Sequence, residues 1–383
     1  MNILFLEPFY GGSHKDFALG FSQHSAHDVT VATLPPRFWK WRMRGAALHF
    51  IREIRDLSRY DLIFATDMMD LADFRGLAGP ACPPVILYFH ENQLSYPLGP
   101  HEKRDFHLGF TNIVSAFAAD AVVFNSAFHR DDFFKAAHTL VKQMPDTRPN
   151  WMLEKIRENT RVIYPGCRFP AGLAAGREKI GPEKDMPEKG RAQDPPLVVW
   201  NHRWEYDKNP ELFFDALRRL KARGVAFSLA LMGEQYEIIP KVFETAVQEF
   251  RQEIRVKGFL ESAQEYRSWL ARGRVVVSTA IQENFGISVM EAVAHGCFPV
   301  LPDRLSYPEL IPEPFRDAVI YGTEKGLDTR LEKILTRPKA LAAQRLALSE
   351  HASGFSWETM IKEYDRLMEK TAGIAGSVKT ARP

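Results

Sequence analysis

Short apolar runs alternate with stretches of helical period along the first half of the chain. Ile3–Leu6, Val29–Ala32, Leu62–Ala65, Val85–Phe89 and Ala121–Phe124 read as strands. Several are apolar on both faces, as strands buried in a parallel sheet are. Phe17–Ser22, Ala46–Leu57 and Phe106–Ala119 read as the helices between them. Residues 171–196 break this rhythm with Gly, Pro and charged residues and no sustained period, which predicts a linker. A second alternation follows. Leu197–Trp200, Ser228–Met232, Ile254–Lys257, Val275–Ser278, Pro299–Leu301 and Ala318–Tyr321 read as strands. Pro210–Arg223, Pro240–Gln252, Ala263–Ala271, Ser288–His295, Leu327–Arg337 and a last segment, Trp357–Lys370, read as helices. The expected fold class is α/β with two doubly wound domains, 1–170 and 197–355, joined by the linker 171–196. A helix over 356–372 and a flexible tail, 373–383, follow. Two such domains predict a cleft, with ligands beyond the carboxyl ends of the strands.

Composition narrows the setting. A chain of 383 residues is comfortable for two cores, and 45% hydrophobic with 26% charged residues is ordinary for a globular protein. Cys82, Cys167 and Cys297 are odd in number and far apart, which argues against a disulfide framework or a zinc site. Met1–Glu7 lacks the basic start of a secretion signal, and no apolar run approaches the roughly 18 residues that cross a bilayer. A cytoplasmic location is therefore expected. The net charge of +2 permits an anionic partner without demanding one, so local charge must decide.

The densest chemistry lies in Gln282–Gly296, just after a predicted strand. Glu283 and Glu291 stand eight positions apart, and between them the loop Asn284-Phe285-Gly286 leads into a helix. Free N–H groups at a helix start bind anions, and Gly286 lets backbone approach a ligand. Carboxylates on either side of a phosphate site suit a ligand with both hydroxyls and phosphate, a sugar nucleotide. Arg203 and Lys208 share one loop after Leu197–Trp200 and could neutralise a leaving diphosphate, the first bidentately and the second as a point charge. Gly11-Gly12, after the first strand, has the look of a phosphate-cradling turn, although it is neither GxGxxG nor a P-loop. His90, in Tyr88–Gln93 at another strand end, suits hydroxyl recognition or acid–base work.

One segment points to a different partner. Pro35–Arg44 interleaves Arg37, Lys40, Arg42 and Arg44 with Phe38, Trp39 and Trp41, and Arg52 and Arg55 continue the charge. Cations for phosphates and aromatics for stacking are what a nucleic-acid surface needs. The plainer reading is a basic loop whose tryptophans pack against the domain.

Together these motifs resemble the retaining glycosyltransferases of GT-B fold, family 4. Glu283-x7-Glu291, the Arg203 and Lys208 pair and Gly11-Gly12 match the signatures of that family. Asn125-Ser126, Val162–Gly166, Leu231-Met232-Gly233-Glu234 and Lys257-Gly258-Phe259 fall at its other strand-end positions. Glu7–Lys15, Ala65–Leu71 and Tyr88–Pro97 are similar to the subgroup that mannosylates queuosine in tRNA. The resemblance implies two Rossmann-like domains facing across a cleft, with the C-terminal helix crossing back to the first. It implies a donor, GDP-mannose, held mainly by the C-terminal domain. Gly11, Gly12, Arg203, Lys208, Gly233, Asn284, Phe285 and Gly286 would line the donor's path. Glu291 would take the ribose hydroxyls, Glu283 the sugar hydroxyls, and His90 would orient the hexose. Retention would follow from same-face attack with no protein nucleophile. The chain has no Asp-x-Asp motif of the metal-dependent kind, and two cations serve the diphosphate, so no catalytic metal and no cofactor are expected. The acceptor would be the queuosine base of aspartate tRNA, gripped through Arg37, Lys40, Arg42, Arg44, Lys103 and Arg104. The alternative is a lipid-linked or small-molecule acceptor, with Phe38, Trp39 and Trp41 meeting a membrane surface.

Overall fold

The computed structural model describes residues 1–98, 103–169, 195–235, 239–337 and 341–379, with the backbone alone over 374–379. The linker expected at 171–196 lies almost wholly outside the described residues, as do positions 380–383 of the expected tail. The chain divides into two compact units, Met1–Gly166 together with the segment from Trp357 onward, and Cys167–Ser356.

The first unit holds a six-stranded, all-parallel sheet. Its strands are β1 (Asn2–Glu7), β2 (Asp28–Thr33), β3 (Leu62–Thr66), β4 (Val85–Phe89), β5 (Ala121–Phe124) and β6 (Thr160–Val162), in the order β2-β1-β3-β4-β5-β6. Helices α1 (Gly12–His24), α2 (Trp39–Glu53), α3 (Leu71–Ala78), α4 (Phe106–Ala118), α5 (Ala127–Lys142) and α6 (Asn150–Glu158) cover it. β3, β4 and β5 are buried along their whole length, which is why their sequences read as unbroken apolar runs.

The second unit repeats the plan. β7 (Leu197–Trp200), β8 (Ser228–Met232), β9 (Ile254–Gly258), β10 (Val275–Val277), β11 (Phe298–Pro302) and β12 (Ile320–Tyr321) pair in parallel in the order β12-β11-β10-β7-β8-β9. Helices α7 (Pro210–Ala222), α8 (Val242–Glu249), α9 (Ala263–Arg272), α10 (Ile287–Ala294), α11 (Tyr307–Leu310), α12 (Glu313–Val319), α13 (Glu324–Thr336) and α14 (Ala342–Ser353) accompany it. Both sheets reverse strand order beside their first strand, and a doubly wound sheet binds ligands at that reversal.

The sequence reading did not contain β6, α3, α5, α6, α11 or α14, and several elements it did contain have other bounds. α2 begins at Trp39 rather than Ala46, so most of the basic-aromatic segment is helix and not loop. The start of the strand expected at Ala318–Tyr321 is the end of α12, which opens with Pro at its first turn and Glu313 beside its N-terminus. The last helix, α15 (Trp357–Lys379), runs past the expected end at 370, because no proline interrupts the chain before Pro383. Trp357, Met360, Ile361, Tyr364 and Met368 form its buried stripe. It belongs to the first unit, where Tyr364 Oη donates to the Ile163 carbonyl at 3.1 Å.

Candidate active site

In the second unit the strand order reverses between β7 and β10, and the loops leaving these two strands carry the candidate donor residues. Lys208, only 6% exposed, is reached by both loops. Its Nζ donates to the Gln282 carbonyl at 2.8 Å and lies 3.4 Å from Glu283 Oε2 and 3.1 Å from Asp207 Oδ2. Burial works against the charge, but Glu283 and Asp207 outweigh it and hold the ammonium above its ordinary pKa. Two residues taken from separate motifs, 75 positions apart, are thus one ion pair. Thr279 Oγ1 donates to the Lys208 and Asn209 carbonyls and Ile281 N–H to the Asp207 carbonyl, which fastens the loops together.

Arg203 is exposed and pairs with Glu205 Oε2 at 3.1 Å. Gly233 sits where a Cβ would run into the His202 carbonyl, so only glycine lets this turn pass beneath the Arg203 loop. Gly286, at φ 95°, turns the chain into α10. Phe285 is buried edge-on against Phe355 at 5.4 Å, and Asn284 accepts from Gln282 Nε2 at 3.2 Å. Phe285 therefore packs inward, and its backbone rather than its ring is what this loop can offer a ligand. Glu291, on α10, accepts the Tyr266 hydroxyl at Oε2 across 3.2 Å.

In the first unit the loops after β1, β3 and β4 meet around Glu7, which is fully buried at the end of β1. Its carboxylate accepts the Phe9 N–H at 2.9 Å, lies 3.2 Å from His14 Nδ1 and is 3.6 Å from His90 Nε2. Gly11 is the N-cap of α1 and Gly12 its first residue, so the Gly-Gly turn leads straight to His14. Burial opposes both charges of the Glu7–His14 pair; mutual attraction prevails, lowering Glu7 to about 2 and raising His14 to about 9. His90 is lowered to about 4 by burial and then by the His14 cation, and so is a neutral imidazole. Its backbone N–H donates to Asp67 Oδ1 at 2.8 Å and its carbonyl accepts from Asn125 Nδ2 at 3.0 Å. Burial raises Asp67 to about 8 despite the nearby His14 charge.

Among the described residues, Glu7, His14 and His90 bring potential metal-binding atoms within 4.8 Å of one another. The imidazoles, however, are stacked 3.8 Å apart and 29° from parallel. Lone pairs lie in the ring planes, so stacked rings aim them side by side rather than at one ion. The group is better suited to an ion-paired network than to ligation.

On α2 and the turn before it, Phe38 is 70% and Trp41 78% exposed, whereas Trp39 packs with Met43, Met68 and Leu108. Phe38 holds a left-handed backbone, φ 56° and ψ 47°, which strains a non-glycine residue. Arg37 lies over Phe38 and Lys40 over Trp39, both exposed. Arg42 donates to the Pro35 carbonyl at 3.4 Å and Arg44 pairs with Asp70 at 3.5 Å. Lys103 is exposed; Arg104 instead straps a loop, donating to the Gln93 and Tyr96 carbonyls at 3.0 and 2.9 Å.

Asp207, Tyr266, Glu7, His14 and Asp67 take part in these networks, as does Asn201, which donates to the Tyr266 oxygen, without a role having been assigned to them from sequence. Glu7 and Asp67 carried a signal: each is a carboxylate ending or following an otherwise apolar strand. Tyr266 carried none, since α9 is a mostly exposed helix and its partners come from distant elements.

Comparison with known proteins agrees with this architecture. Residues 2–167 match the family model described as tRNA-queuosine alpha-mannosyltransferase N-terminal, and residues 182–351 match Glycosyl transferases group 1. The chain is 34% identical over 378 residues to a Drosophila melanogaster protein named tRNA-queuosine alpha-mannosyltransferase, covering 96% of this chain and 97% of that one. Among solved structures it is similar to Anabaena HepE in complex with UDP, with TM-score 0.61, 17% identity and coverage of 97% and 100%. It is also similar to sucrose-phosphate synthase from Thermosynechococcus elongatus, with TM-score 0.67, 14% identity and coverage of 97% and 99%. These two likenesses concern the fold, which is GT-B. By its identity along nearly the whole length of both proteins, the chain belongs to the tRNA-queuosine alpha-mannosyltransferase family of glycosyltransferases.

Proposed function

We propose that this protein transfers mannose from GDP-mannose to the queuosine base of tRNA, aspartate tRNA in particular, with retention at the sugar carbon. The observation that carries the reading is the match of residues 2–167, the half that bears the cationic face of α2, to the N-terminal model of the mannosyltransferase family.

Lys208 and Arg203 take the diphosphate, whose negative charge grows as the sugar leaves. Lys208 is buried and held by Asp207 and Glu283, so it meets that charge without first reorganising. Glu283, tied to Lys208, takes the sugar hydroxyls, and Glu291 takes the ribose hydroxyls. The neutral imidazole of His90 offers hydrogen bonding to the hexose without a competing charge. The N–H groups at the Gly11-Gly12 turn and at Phe285–Gly286 complete the phosphate contacts, with Gly233 and Asn284 shaping the loops. Two cations acting on the diphosphate do what a divalent ion does in metal-dependent transferases, so the reaction proceeds without metal or cofactor. Arg37, Lys40, Arg42 and Arg44, with Lys103, contact RNA phosphates; Arg104 serves by holding the loop. Cys82, Cys167 and Cys297 are free, which suits a reducing cytoplasm, and no helix among the described residues is long and apolar enough to cross a membrane.

The test is incubation with GDP-mannose and queuosine-containing tRNA, resolved on a boronate gel, which retards the free diol. Conversion to the unretarded form is expected. No transfer under conditions where GDP-mannose binds refutes the acceptor assignment. Exposed Trp41 and Leu48 on the basic helix α2, with Phe38 at its N-cap, favour, as a second reading, a lipid-linked acceptor. Liposome flotation in place of tRNA binding would select it.

A further inference from the structure

A carboxylate that chelates a vicinal diol must be held in one orientation, and what holds Glu291 comes from two other elements. Tyr266, on α9, donates its hydroxyl to Glu291 Oε2 at 3.2 Å. Asn201, one residue beyond β7 and buried, places Nδ2 2.9 Å from the Tyr266 oxygen and 2.7 Å from the Ser288 carbonyl in the first turn of α10. A carbonyl can only accept, so the Asn201 group facing Ser288 is the NH2 and not the oxygen. Nδ2 therefore donates to the phenol oxygen, and the phenol's one hydrogen remains for Glu291. The direction of every bond follows from a single backbone carbonyl. Burial keeps that hydrogen in place, raising the Tyr266 hydroxyl well above its ordinary pKa. The relay also ties α9 and the end of β7 to α10, the helix that carries Glu291.

We propose that Tyr266, oriented by Asn201, is a positioning residue for the ribose subsite, fixing the Glu291 carboxylate to receive the vicinal diol of a sugar nucleotide. The inference rests on the ribose role proposed for Glu291, and the experiment separates the two. Isothermal titration of the full chain uses GDP and UDP, each beside its 2′,3′-dideoxy form. The proteins are wild type, Tyr266→Phe, Glu291→Ala and the double variant, each checked for an unchanged thermal transition.

Wild type is expected to prefer a ribose nucleotide over its dideoxy form, and Glu291→Ala to abolish the preference. Tyr266→Phe should weaken the ribose nucleotide by about tenfold, leave the dideoxy form unchanged, and have no effect once Glu291 is gone. If the preference survives Tyr266→Phe but not Glu291→Ala, the inference falls and the ribose role stands. If it survives Glu291→Ala, or no nucleotide binds, both fall. Equal losses for the two forms in Tyr266→Phe mark a packing role and also overturn the inference.

Discussion

His14 and His90 lie ring on ring, centroids 3.8 Å apart and planes 29° from parallel, with opposite protonation tendencies. Burial disfavours charge on both, yet Glu7 raises His14 to about 9 while His90 is lowered to about 4. One buried carboxylate can support one cation. Once His14 holds the proton, a second on His90 meets both desolvation and a positive charge at stacking distance. Across neutral pH the stack is an imidazolium beside an imidazole, and the neutral member, His90, is the one proposed to meet the hexose.

This arrangement makes stability depend on pH in a stated direction. Folded His14 keeps its proton where the unfolded chain has lost it, so its contribution is full below about 6.5 and disappears as pH rises through about 9. Wild type should therefore lose stability between pH 6.5 and 9, and His14→Gln should lose less over the same range, by urea denaturation. Equal slopes would refute the ion pair. Glu7→Gln removes the counter-charge from a buried imidazolium and should cost about 3 kcal/mol at pH 6.

Asp67 moves stability in the same direction with pH, but as a penalty that grows rather than a gain that is lost. Burial raises its carboxyl to about 8, with Glu91 and Glu7 adding to it and His14 opposing. The folded chain must keep a proton there that the unfolded chain releases above its ordinary 3.8, so Asp67 detracts increasingly from stability between pH 3.8 and 8. Asp67→Asn, neutral throughout, retains an oxygen to accept the His90 N–H. Its melting temperature should match wild type near pH 4 and exceed it by a margin that widens toward pH 8. A constant margin in calorimetry would contradict the assignment.

Much of this was legible because parallel strands buried on both faces leave continuous apolar runs, and doubly wound folds place polar chemistry just after them. That is how Lys208, Glu283, Glu291 and His90 stand out. Which strands are neighbours was not legible: the Lys208–Glu283 pair depends on β7 lying beside β10, a pairing of residues far apart in sequence. Nor was the fate of individual cations. Arg37 and Arg104 look alike in sequence, but one is exposed and the other is spent on two carbonyls of a nearby loop. The start of α2 was missed because Trp39–Arg44 presents only Met43 among its buried residues, too little for a helical period to register.

Lys208 is the residue whose removal should be most damaging to turnover. It is buried, charged and tied to both loops of the proposed donor site. Lys208→Met should lower kcat by about 100- to 1,000-fold if the ammonium stabilises the leaving diphosphate. It should also destabilise the second unit, because Asp207 and Glu283 lose their shared cation. Adding Asp207→Asn should recover stability without recovering turnover. Recovery of both would make Lys208 a structural residue only.

The RNA-binding role proposed for α2 can be separated into charge and stacking, because the two respond differently to salt. Arg37 and Lys40 are exposed, the first over Phe38 and the second over Trp39, and Phe38 and Trp41 are themselves 70% and 78% exposed. A cation on a phosphate releases counterions, so losing it flattens the salt dependence; a ring stacked on a base does not. Filter binding of tRNA across salt concentrations should show Arg37→Ala with Lys40→Ala reducing the slope of log affinity against log salt by about 1 to 2. Trp41→Ala should weaken binding by roughly tenfold with the slope unchanged. Arg104→Ala should act differently again, weakening the Gln93–Tyr96 loop and raising KM for the acceptor while leaving the salt slope alone. A slope unaffected by the first pair would remove α2 from the RNA interface and leave its exposed apolar face to a membrane.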